Sequence, residues 1–139
     1  KTLKLLEMMD NYFPPEIIPT TDAELDIQIG RIYKQAGQPE ELKKRLVQIQ
    51  NRRDLSIESK VYIGQIYMSE FEDSEENINY HKNLYDEYPY IPDILYNLVQ
   101  AYAKGERQDE ARETLELWIR SHPNDSQAIA WLSILSVQN

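Results

Sequence analysis

The sequence predicts an all-α chain of about eight antiparallel helices stacked as hairpins. Three observations predict it: a motif recurring at a spacing of 34, apolar residues at helical intervals inside each copy, and turn residues between helices. Ile29-Gly30-x-Ile32-Tyr33 returns 34 positions later as Ile63-Gly64-x-Ile66-Tyr67, and Leu98-Val99-x-Ala101-Tyr102 follows after 35. The endings Tyr88-Pro89 and His122-Pro123 are again 34 apart, so the extra residue falls between Tyr67 and Pro89. An insertion inside a packed helix would rotate its apolar face by about 100°. The polar turn Ser69 to Ser74 is therefore the expected place for it.

The chain opens with Lys1 to Phe13, where Leu6, Met9 and Phe13-Pro14 are in register with the second helix of a preceding unit, a half repeat over residues 1–14. A proline-rich insertion, Pro14 to Thr20, follows. The first full repeat spans residues 23–56: Thr21 and Glu24 make a capping box before Leu25, Ile29, Ile32, Tyr33 and Ala36, and a second helix carries Leu42, Leu46 and Ile49. Pro39 and Pro92 sit at first helical positions, which need no amide hydrogen. Gly37 and Gly105 lie in the turns between paired helices, where a left-handed backbone costs glycine little. The second repeat covers 57–91 and the third 92–125, their second helices closed by Pro89 and Pro123. Residues 126–139, with Ile129, Leu132 and Leu135, form a half repeat or capping helix.

This pattern resembles the tetratricopeptide repeat, a helix pair whose signature is a large residue, Leu-Gly, Tyr, then Ala, an aromatic, Ala and Pro. In the third copy Leu95, Leu98, Tyr102, Ala111, Leu115, Trp118 and Pro123 occupy those positions, with Val99 replacing glycine. The first keeps Ile29, Gly30, Tyr33, Leu42, Leu46 and Ile49, with Asp54 where proline would stand. The second keeps Ile63, Gly64, Tyr67, Leu84 and Pro89, while Asn77 and His81 replace a small and an aromatic residue. The resemblance implies a right-handed solenoid in which each pair buries its apolar stripe against its neighbours.

Composition narrows the function. Fifteen basic against 24 acidic residues give a net charge of −9, which argues against nucleic acid as a partner. With no cysteine, disulfides, thiolate zinc sites and a cysteine nucleophile are excluded, and the redox compartment stays open. The longest apolar stretch, Ala128 to Val137, is half of what a bilayer-spanning helix needs. Lys1 in first place, with no signal core behind it, gives the chain the look of a piece of a longer protein. The two histidines, His81 and His122, stand in no zinc motif and near no glycine-flanked serine. His81 is expected between helices and His122 beside a helix C-terminus. Four unclustered glycines make no phosphate-cradling loop, and the acidic run Glu70 to Glu76 lacks the pattern of a calcium loop. The expectation is a non-enzymatic domain without cofactor or metal. Lys43, Lys44, Arg45, Arg52 and Arg53 form a basic group, read as a solvated outer face and cationic helix end, or as a patch for an acidic partner.

The resemblance also implies that the first helix of each pair lines a concave groove, which maps Arg31, Lys34, Tyr62, Gln65, Tyr96, Asn97 and Gln100 onto a partner-binding surface. Tyrosine offers contact area with a polar tip, and amide side chains bond an extended backbone, so this lining suits a protein or peptide. The carboxylate clamp of chaperone co-factor repeats is not expected: its positions hold Ile27, Arg31, Tyr62, Asp93 and Asn97, and Asp93 would repel a carboxylate. The last helix leaves little of its circumference polar, so Ile129, Trp131, Ile134 and Leu135 form a second candidate surface, for a downstream segment, a partner or a homodimer. A second reading makes the chain an accessory C-terminal domain. Phe13-Pro14-Pro15 and Ile18-Pro19 ahead of a repeat helix resemble the repeat tail of bacterial polytopic mannosyltransferase-like membrane proteins, which would tether the domain to a membrane or cell envelope through an upstream region.

Overall fold

The structure, a computed structural model, describes residues 37, 39–51 and 55–137. All regular structure among them is helical: α1 (Pro39–Gln50), α2 (Ile57–Glu70), α3 (Glu75–Glu87), α4 (Pro92–Lys104), α5 (Gln108–Ser121) and α6 (Ser126–Ser136). The two further helices expected within residues 1–14 and 23–36, the capping box Thr21–Glu24 and the ladder residue Tyr33 lie outside the described residues. The described residues fall into two compact units, 37–70 and 71–137, with the boundary between the two helices expected to pair as the second repeat.

In the first unit, Pro39 opens α1 and Glu40 and Glu41 lie in its first turn, where carboxylates complement the helix dipole. Leu42, Leu46 and Ile49, spaced four and three apart, form its buried stripe and pack towards α2. Before α2, the Ser56 hydroxyl accepts from the Ser59 amide at 3.1 Å. Seven residues of α2 are buried, and Tyr67 donates through its hydroxyl to Gln50 Oε1 at 2.9 Å, tying α2 to the end of α1.

The second unit runs as a chain of contacts in sequence order, α3 on α4, α4 on α5, α5 on α6. Ser74 caps α3, its side chain accepting from the Asn77 amide at 3.2 Å, with Glu75 and Glu76 in the first turn. The linker before α3 has four residues, 71–74, and the one before α5 three, 105–107, so the expected extra residue lies in the turn. The buried faces of α3 and α5 keep register: Asn77, His81 and Leu84 are buried, and so, 34 residues on, are Ala111, Leu115 and Trp118. α4 differs from its neighbours, with every residue from Ile94 to Ala103 buried.

The turn after α4 corrects one expectation. Gly37 is left-handed, with φ 81°, but Gly105 has φ −85° and the left-handed residue is Glu106, with φ 60°. The Arg107 amide bonds the Tyr102 carbonyl at 2.8 Å and the Glu106 amide bonds that of Ala103 at 3.1 Å, a Schellman ending whose left-handed position falls one residue after the glycine. Gly105 has another reason to lack a side chain. A Cβ there would come within 2.8 Å of Ile78 Cδ1, so the end of α4 lies against α3 at that point.

Candidate partner-binding surface

The expected groove of the second unit is built on α4. Its Tyr96, Asn97 and Gln100 are buried, with 3 %, 2 % and 4 % of their surfaces exposed. Tyr96 points its hydroxyl at the Asp125 carboxylate, at 2.6 Å from Oδ1 and 2.5 Å from Oδ2. Asp125 is the N-cap of α6 and accepts from the Ala128 amide at 3.1 Å, while Trp118 on α5 donates its indole N–H to Oδ2 at 2.8 Å. One carboxylate thus joins three helices and satisfies two aromatic polar tips and an orphan amide together.

Partial burial by itself pushes the Asp125 carboxyl up, but the hydrogen bonds from Tyr96, Trp118 and the amides of Ala128 and Gln127 outweigh it and hold the group below its ordinary value. Beside this junction the Tyr96 and Trp131 rings meet edge to face, with centroids 4.9 Å apart. Trp131 and Leu135 are fully enclosed, Ile134 is half-buried and Ile129 is 42 % exposed. Tyr96 and Trp131, expected on two separate surfaces, are therefore neighbours in one interior. Of the other expected groove residues, Tyr62 is buried in the first unit and Gln65 is half-buried, while Arg31 and Lys34 lie outside the described residues.

The exterior of the second unit is acidic. Residues 71–139 carry 13 acidic and 5 basic side chains, so 13 − 5 leaves −8 of the chain's −9. Three of the five cations are engaged: Lys104 with Glu72 at 3.1 Å, Arg112 with Asp109 at 2.5 Å, and Arg107 with Glu75 at 3.0 Å and with Glu110. The Arg107 guanidinium also holds the Glu110 carboxyl below its usual range. His122 ends α5 stacked on Trp118, ring centroids 3.7 Å apart, where a helix C-terminus was expected. The acidic run after α2 forms the turn and first residues of α3; no cluster of three or more metal-ligating side chains occurs among the described residues. No helix among them is long and apolar enough to cross a membrane.

Sequence reasoning missed Asp125. Its signal was local: an aspartate two residues after Pro123, at the N-cap of an apolar helix, in a chain whose Tyr96 and Trp118 each needed an acceptor.

Helices that pack in sequence order, with buried seats 34 residues apart on α3 and α5, define a helical-repeat protein. A family model for the tetratricopeptide repeat matches residues 72–133, which supports that family for this part of the chain. No curated protein and no solved structure matches the chain. The family is one of protein-interaction scaffolds, generally without catalytic activity of their own.

Proposed function

We propose that the chain is a non-catalytic scaffold whose repeat unit, residues 71–137, binds a basic segment of another protein. The observation that carries this reading is the acidic surplus of the family-matched segment, in which most cations are already held by internal carboxylates. Such a surface attracts lysine- and arginine-rich partners, raises their association rate and repels acidic ones. Within the expected groove, Tyr96, Asn97 and Gln100 serve behind the surface, holding α4 against its neighbours. Contact falls to exposed groups at the two ends of α4, Asp93 and Glu106.

The test is selection from a random displayed-peptide library on the whole chain. Basic sequences are expected to be enriched, and a selected peptide should lose at least tenfold in affinity on Asp93→Lys with Glu106→Lys, or on raising salt from 0.05 to 0.5 M, as order-of-magnitude changes for screened surface charges. Enrichment of apolar or acidic peptides, or affinity indifferent to both changes, would contradict the proposal.

A further inference from the structure

His81 is the only basic side chain buried among the described residues, with 0 % of its surface exposed. It occupies on α3 the seat that Leu115 occupies on α5, 34 residues on. Its Nδ1 lies 2.9 Å from the Asn77 carbonyl oxygen. A carbonyl only accepts, so Nδ1 carries the proton and Nε2 is the bare nitrogen of a neutral ring. Nε2 is buried and has no hydrogen-bonding partner. A second proton would therefore bring a charge, and a donor with nothing to receive it, into the interior.

α3 is poorly equipped to absorb that change. Its buried residues are Asn77, Ile78, His81 and Leu84, so two aliphatic side chains are all it adds to the apolar core, against ten buried positions on α4. Nor does a nearby carboxylate compensate. On α3 itself, Tyr80 meets the His81 ring edge-on at 5.7 Å, with Lys82, Tyr85, Asp86 and Glu87 beyond it. On α4 the titratable groups are Asp93, Tyr96, Tyr102 and Lys104: Tyr96 is bonded to Asp125, Tyr102 lies under Arg107, and Lys104 is paired with Glu72. From the start of α5, Arg107 engages Glu75, and Glu110 and Glu113 act on Lys82 or Tyr102. None of these carries a charge that shifts His81, whose value is lowered from 6.5 to about 4 by burial, against a smaller opposite effect of the Asn77 carbonyl.

We propose that α3 is an acid-released strap: protonation of His81 at Nε2 detaches α3 from α4, baring the end of α4 that now lies against Ile78, while α4, α5 and α6 stay joined at Asp125. The released state arises in mild acid, well before the Asp125 junction titrates. Uptake of the proton is favoured in the detached helix below pH 6.5 and in the packed helix only near pH 4, so packing is complete at neutral pH and weakens as the pH falls between the two.

Hydrogen exchange of the whole chain at pH 7.5 and 5.0, corrected for intrinsic rates, tests it. Opening of α3 is expected to rise about thirtyfold, from the linkage of those two values, with α5 and α6 changing little. His81→Leu, which places the Leu115 side-chain type in the matching seat, should abolish the rise. An equal rise in His81→Leu, no rise in the unsubstituted chain, or common opening of α3 and α5 would overturn the proposal. So would titration of the His81 ring near pH 6.5 by NMR in the unsubstituted protein, a readout that does not depend on the variant folding.

Discussion

Replacing Trp131 with alanine is expected to destabilise the protein by about 3–5 kcal/mol, the range for removing a fully buried large aromatic side chain. Trp131 has 0 % of its surface exposed and lies edge to face with Tyr96, so the substitution opens a cavity and removes an aromatic contact together. Because α6 contributes only Ala128, Trp131 and Leu135 to the core, little else holds it. The expected observation is a large drop in the urea midpoint with loss of helical signal from α6. If Trp131 instead lay on an open face awaiting a partner, the same substitution would leave stability almost unchanged.

The second large effect is expected at Asp125. Alanine there removes the α6 cap, about 1 kcal/mol, and leaves the Tyr96 hydroxyl and Trp118 indole N–H buried without their acceptor, about 1–3 kcal/mol each. The three losses share one site and do not add in full, so about 2–4 kcal/mol is expected. The carboxyl is held below its ordinary value of 3.8 in the folded protein, so the unfolded chain takes up the proton first as the pH falls. Its stabilisation is complete above pH 3.8 and is lost as the pH drops through the folded value. Asp125→Asn should accordingly flatten the acid limb below pH 4 in urea titrations, while leaving any change between pH 6.5 and 4 in place. Tyr96→Phe and Trp118→Phe should each reproduce part of the Asp125→Ala loss.

These expectations show which parts of the structure could be read from the sequence. The 34-residue spacing located the buried seats of α3 and α5 to the residue, because core positions repeat when hairpins repeat, even where Asn77 and His81 break the signature. The helix starts at Pro39 and Pro92 were equally local. Turn chemistry after α4 was less legible: glycine marked the right turn, but Gly105 lies close to Ile78 and the left-handed backbone falls on Glu106. The candidate surfaces were legible only as positions on helices. Whether Tyr96 and Trp131 faced solvent or one another depended on how α4 and α6 pack, a long-range property that spacing along one helix does not carry. Asp125 escaped notice for a related reason, since its importance comes from two donors 29 and 7 residues away in sequence.

The aromatic side chains Tyr96 and Trp131 at the α4–α6 junction are interior supports, enclosed and in edge-to-face contact. Tryptophan fluorescence tests this most directly, because Trp118 and Trp131 are the chain's only tryptophans. In a Trp118→Phe variant, emission should come from Trp131 alone, blue-shifted and scarcely quenched by acrylamide. Emission like that of free tryptophan, with full quenching in a folded chain, would contradict the account.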